Sequence, residues 1–254
     1  MATQRRGGVV LATLFTAACM AILIWLGLWQ LERKAWKENL IAVVSSRVER
    51  PAEPLPPRSD WGRLTAEANE YTRVTFPAEF LDGEEAYAYT AGSSLRADVQ
   101  GQGFWVFAPA RLTGGSVVLV NRGFVPTDRK LPASRSDGTP RGSVDIVGYL
   151  RWPETRGMVT PKDDPANNVW YARDPKAMAE THKWALAAPF YIDQEGPVPP
   201  GGLPKPGKLD VKMPNNHWQY ALTWFGLAAS LAGVYIAWLL ARRRKRDVFD
   251  HIER

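Results

Sequence analysis

Two stretches of the chain, residues 9–28 and 220–240, run without a single charged side chain. Each is about as long as the roughly 20 residues a helix needs to cross a hydrocarbon core about 30 Å thick, so both are expected to be transmembrane helices. Helical spacing continues beyond the first. Leu31, Ala35, Leu40, Ile41, Val44 and Val48 carry an apolar face, with Glu32, Arg33, Lys34, Lys37 and Glu38 between them, which predicts a helical extension over residues 29–50. Pro51, Pro54, Pro56 and Pro57 then stop the helix, because proline removes a donor and restricts its predecessor. Residues 51–70 read as a linker.

From Tyr71 the period becomes two. Val74, Phe76, Ala78 and Phe80 alternate with other residues, Tyr87 and Tyr89 repeat the pattern after an Asp82-Gly83 turn, and residues 104–112 and 116–124 form a strand pair around Gly114-Gly115. Further strands are expected at 144–151, 169–172 and 190–193. One helix is expected over 174–186, capped by Asp174 with Pro175 at its first position. The chain therefore reads as an α+β membrane protein. Two terminal transmembrane helices flank a mostly antiparallel, β-rich extracytoplasmic domain at 71–194, barrel- or sandwich-like, with one main helix. Residues 195–214 form a second linker, 215–240 the second membrane helix, and 1–8 and 241–254 the two tails.

Counted over both ends the basic residues nearly balance, and the density of one block sets the expected orientation. The net charge is +6, which alone would suit a nucleic-acid ligand, but the densest cluster, Arg242, Arg243, Arg244, Lys245 and Arg246, directly follows an apolar segment. That is the place of a cytoplasmic anchor on anionic lipid. Both termini are placed in the cytoplasm, with no nucleic-acid partner. The N-terminal apolar run is longer than a typical signal-peptide core and lacks a clear cleavage boundary, so it is expected to be retained. The one cysteine, Cys19, lies within it, leaving the outer domain without a disulfide or thiol ligands.

Motifs exclude more than they assign. The chain has no Gly-x-Ser-x-Gly, His-Glu-x-x-His, Walker loop or Cys-x-x-Cys-His, and no catalytic turnover is expected. Of the three histidines, His251 is in the tail and His182 in the outer-domain helix. His217 stands at the start of the second membrane helix after Asn215 and Asn216, and helical spacing places Tyr220, Ala221 and Trp224 on its face. Two readings stand side by side: an interfacial histidine among belt aromatics, or an axial ligand to a planar cofactor. In the second, Tyr220, Trp224 and Trp29 flank the cofactor, and Arg33, Lys34 or Lys37 pair with its carboxylates. Gly226, Ser230 and Gly233, with Ala17 and Ala21, offer small-residue faces for helix packing.

Three segments taken together resemble the surfeit locus protein family: Gly27-Leu28-Trp29-Gln30-Leu31-Glu32-Arg33-Lys34-Ala35-Trp36-Lys37, Val120-Asn121-Arg122-Gly123-Phe124-Val125-Pro126, and Asn215-Asn216-His217-Trp218-Gln219-Tyr220-Ala221-Leu222-Thr223-Trp224-Phe225. The resemblance implies an assembly factor for haem-copper cytochrome c oxidase that assists haem a delivery to the catalytic subunit. His217 would be the haem ligand, and the haem a synthesis machinery a further partner. The alternative is a scaffold that docks an oxidase intermediate without binding cofactor. Without an Arg- and Ser-rich transit segment ahead of Val9, a bacterial plasma-membrane member is expected.

Overall fold

The structure, a computed structural model, describes residues 2–93, 95–138, 140–210 and 215–252. Lys212, Pro214 and Arg254 lie outside the described residues, as do the side chains of Arg5, Arg6, Lys245, Arg246 and His251. The chain divides into two compact units, Met1–Ile41 with Pro214–Arg254, and Ala42–Met213. In chain order, helix α1 (Ala2–Val48) is followed by the two-residue strand β1 (Glu53–Pro54) and the one-turn helix α2 (Ala66–Asn69). Strands β2 (Arg73–Phe80), β3 (Ala86–Gly92), β4 (Gln100–Leu112), β5 (Val117–Pro126) and β6 (Ser143–Arg151) come next. Helix α3 (Pro175–His182), strand β7 (Leu186–Gly196) and helix α4 (His217–Ile252) complete the set.

The first unit contains most of α1 and all of α4. Both helices are long and apolar enough to cross a membrane, over Gly8–Val48 and His217–Arg244. Their apolar side chains point outward: Leu11 is 71 % exposed and Val234 69 %.

The second unit is a barrel. Five strands close a ring in the order β2-β6-β7-β5-β4, sealed by antiparallel pairing of β2 with β4 at Ala78↔Leu112, Glu79↔Arg111 and Phe80↔Ala110. β1 adds in parallel outside β2, and β3 outside β4. The pairing of β5 with β7 is parallel, while the other ring contacts are antiparallel. Alternation decides what fills the ring. Val74, Phe76, Ala78 and Phe80 of β2 meet Ala108 and Ala110, Val118 and Val120, Ile146 and Leu150, and Phe190 and Ile192. The opposite face of the same strands carries Phe107, Leu119 and Tyr191, on which α3 packs through Met178 and Ala179.

Several expected boundaries shift. Residues 51–70 are not a linker: a 3₁₀ helix, Arg58–Arg63, inserts Trp61 into the core. The Trp61 ring meets Phe190 edge-on at 5.4 Å, and its Nε1 donates to Pro56 O at 2.7 Å. The described part of 195–214 packs as well, with Leu209 buried and Lys205 bonded to Phe124 through both backbone groups. Residues 169–172 are not a strand but two isolated bridges, Trp170 to Ala88 and Val169 to Asp164. The helix expected over 174–186 has the predicted cap, with Asp174 Oδ1 accepting from the Lys176 and Ala177 N–H groups. It ends at His182 because Lys183 takes a left-handed conformation (φ 59°), which turns Trp184 back onto the core.

The Asn121-Arg122-Gly123 segment of β5 is structural. Asn121 Nδ2 donates to Asp193 Oδ1 at 2.6 Å across the parallel pair, and Asn121 Oδ1 accepts from the Gly123 N–H. Arg122, 4 % exposed, donates to Glu85 and to the Gly138 carbonyl, and Arg135 and the Tyr87 hydroxyl also donate to Glu85. Gly123 has φ +118°, and a Cβ there would fall on the Lys205 carbonyl. Replacing Gly123→Ala therefore strains the backbone and displaces residues 205–206. A loss of about 1–3 kcal/mol from the backbone term alone is expected, seen as an earlier urea midpoint for the near-ultraviolet tryptophan signal.

Candidate functional site

The two helices of the first unit run antiparallel. Gln30 meets His217, Gly27 lies against the Phe225 ring, and Thr13 hydrogen-bonds Tyr235. A Cβ on Gly27 would come within 2.5 Å of the Phe225 ring, so only glycine allows this approach. Ala221 and Ala228 are buried on the same seam. Gly226 and Gly233 have nothing within 4 Å of a built Cβ, and Ser230 Oγ donates back to Gly226 O. The Gly226 and Gly233 positions are therefore open rather than packed on α1, because spacing identifies a face but not its partner.

His217 is the first residue of α4. The Asn216 carbonyl accepts from the Gln219 and Tyr220 N–H groups, so the cap is made by backbone. Half-buried, His217 places Nδ1 2.7 Å from Gln30 Oε1. With the Gln30 oxygen facing the ring, the contact needs a proton on Nδ1, and the tautomer that makes it has its lone pair on Nε2. Beside it, Asn215 Oδ1 is buried without a partner among the described residues.

The other predicted site residues are only partly gathered. Trp224 is half-buried two turns along the His217 face, whereas Tyr220 is 57 % exposed. On α1, Trp29 is exposed, and the Arg33 guanidinium stacks over Trp36 at 4.0 Å. Lys37 is half-buried, and Lys34 pairs with Glu38 at 2.7 Å. Gln30 was overlooked as a site residue. Its only signal is a neutral hydrogen-bonding side chain immediately past an apolar run, three positions from the glycine of close approach.

Could these residues hold a planar metal cofactor? A ring nitrogen freed by tautomer, an orphaned buried acceptor and a flanking tryptophan suit an axial-ligand role. Among the described residues no cluster of three or more His, Cys, Asp or Glu could hold a metal ion. In the barrel unit, the described cavities of about 200, 90 and 50 Å³ fall below the roughly 300 Å³ at which small-molecule pockets begin.

His182 belongs to the barrel unit. Its ring stacks on Trp184 at 4.5 Å and 13°, with Nε2 3.3 Å from Asn168 Oδ1. Burial pushes its pKa down, only partly opposed by the charge of Glu84.

The SURF1 family model matches residues 17–229, a span that includes both Gln30 and His217. Surfeit locus protein 1 of Homo sapiens is 36 % identical over 217 residues, covering 81 % of this chain and 70 % of that protein. The Mus musculus protein of that name is 36 % identical over 215 residues, with 81 % and 68 % covered. A SURF1-like protein of Monosiga brevicollis is 32 % identical over 251 residues, with 96 % and 91 % covered.

Two outcomes are expected. In a Cys19→Ser background, Thr13→Cys and Tyr235→Cys should be joined by a short bis-maleimide, which spans the length of the tyrosine side chain that a direct disulfide cannot, and adding Gly27→Val should weaken that cross-link by forcing Phe225 away. For His182, the folded state favours the neutral ring, so its contribution is complete above the ordinary value of about 6.5 and declines as pH falls below it. Thermal melts between pH 7.5 and 5 should show that decline, and His182→Phe should flatten it.

Proposed function

Because this chain belongs to the SURF1 family, we propose that it is a membrane-anchored assembly factor for cytochrome c oxidase without catalytic turnover. In this reading it presents His217 to haem a on the way from the haem a synthesis machinery to the oxidase catalytic subunit. The supporting observation is the 2.7 Å contact between His217 Nδ1 and Gln30 Oε1. That contact favours the tautomer whose Nε2 could bind a metal, and haem iron accepts such an imidazole. Gln30 is then a positioning residue, acting through the ring it orients. Trp224 shields one side, and Lys37 is the nearest of the predicted cations by helix face. Arg33 and Trp29 would reach the cofactor only by leaving their exposed positions.

Placement in a membrane is supported by two helices with outward-facing apolar side chains, since water would not sustain that exposure. Both termini are assigned to the cytoplasm of a bacterial cell, with the barrel on the outer side, from the Arg242-Arg243-Arg244 block. A second reading, a scaffold docking an oxidase intermediate without touching cofactor, is favoured by the open Gly226 and Gly233 positions on α4.

Absorption spectra of the protein purified from cells making haem a separate the two. Haem a should co-purify with the wild type, be lost from His217→Ala, and be held about 10- to 100-fold more weakly by Gln30→Leu. Equal haem content in wild type and His217→Ala would remove the ligand role. Co-purification of the oxidase subunit with no haem absorbance would favour the scaffold.

A further inference from the structure

The barrel unit holds a pocket of about 90 Å³ that no part of the oxidase reading uses. Phe80, Val144, Pro197, Pro200 and Pro204 form its walls, and Gln194 lines it too. Gln194 is 6 % exposed. Its Nε2 donates to Pro197 O at 3.2 Å, but its Oε1 is buried without a partner among the described residues. The chamber, lined mostly by apolar side chains and bordered by Arg122, thus has one unanswered acceptor in its wall, and buried acceptors are nearly always answered.

Three properties narrow the occupant. Size comes first: about 90 Å³ is several times the roughly 10–15 Å³ that one water needs, yet far below the roughly 300 Å³ of small-molecule sites. It matches a single ring. Charge is second. Arg122 also borders the chamber, but it pairs with Glu85 at 3.3 Å and stacks over Phe80 at 4.6 Å, so no anion is called for. Third, apart from Gln194 and the already engaged Arg122 the walls are aliphatic or aromatic, which asks for an apolar body with one donor at its tip. Tyrosine has that form. The mouth adds Val198, 60 % exposed, a collar of the kind that surrounds an anchor residue in a protein interface.

We propose that this pocket receives a tyrosine side chain of a partner protein, the ring lying between Phe80, Val144 and the prolines and the hydroxyl donating to Gln194 Oε1. The proposal does not rest on haem binding or on the oxidase role.

The test uses the full chain in detergent with valine methyls isotopically labelled, and N-acetyltyrosinamide and N-acetylphenylalaninamide as probes, which differ by the one hydroxyl. The tyrosine probe should shift the Val144 and Val198 methyl signals and bind about tenfold more tightly than the phenylalanine probe. Gln194→Met should erase that difference while keeping weak binding of both. The wild-type comparison stands on its own if Gln194→Met does not fold. No shift with either probe would mean that the pocket holds only water, and equal affinity would remove the hydroxyl contact. Shifts with free phenol but not with the tyrosine probe would assign the pocket to a small molecule. Each of these results overturns the proposal.

Discussion

Asn121 joins two strands that a backbone ladder holds only loosely. β5 and β7 are the parallel pair of the ring, and their register slips between Val117 and Leu119. The 2.6 Å bond from Asn121 to Asp193 pins that seam from inside the protein. Asp193 in turn accepts from Arg151 at 3.2 Å, and Arg151 reaches Glu70 at 3.2 Å, at the end of α2. The neighbouring residue does the same on the other face, where Arg122 and Arg135 enclose Glu85. Buried pairs of this kind contribute little net stability, since desolvation offsets most of their attraction. Removing one partner is what costs, because a charge is then stranded, and the network therefore enforces one strand order more than it deepens the fold.

The site in the first unit applies the same physics to a single contact. A glycine with no side chain in the way lets α1 and α4 approach at Phe225, and that approach brings Gln30 within reach of His217. Away from water such a bond is stronger and its orientation better defined. The family match spans both Gln30 and His217. The described cavities of the barrel unit are too small for a macrocycle.

How much was legible beforehand depends on whether a signal was local. The alternation Val74, Phe76, Ala78, Phe80 announced β2 because one face is buried and the period is two. The Asp174 cap and Pro175 announced α3, but nothing adjacent says that Lys183 must turn left-handed to return Trp184 to the core. Residues 51–70 looked like a linker from their prolines. Trp61 packs on Phe190, far along the chain, and no local period reports that. Residues 205–209 were hidden for the same reason, since their partners are Phe124 and Arg96. Barrel and sandwich could not be told apart until the pairing of β2 with β4 closed the ring. His217 stood out by rarity and position, whereas Gln30, a neutral residue at a helix exit, resembled ordinary interfacial polarity. The glycines of α4 were visible as a stripe, but the seam uses Gly27, Ala221 and Ala228 instead.

The place of β7 in the ring carries a consequence for biosynthesis. It is the last strand to be made, yet it lies between β5 and β6, with its neighbours on both sides already complete. Until it emerges from the ribosome, those two strands expose unpaired edges and half a core. Even then the seam awaits residues 205–209, which close over Gly123 just before the second apolar helix begins. The barrel therefore cannot fold progressively from its N-terminus as the chain lengthens. It must remain open, dependent on contacts distant in sequence and slow to form, until almost the whole polypeptide has been synthesised.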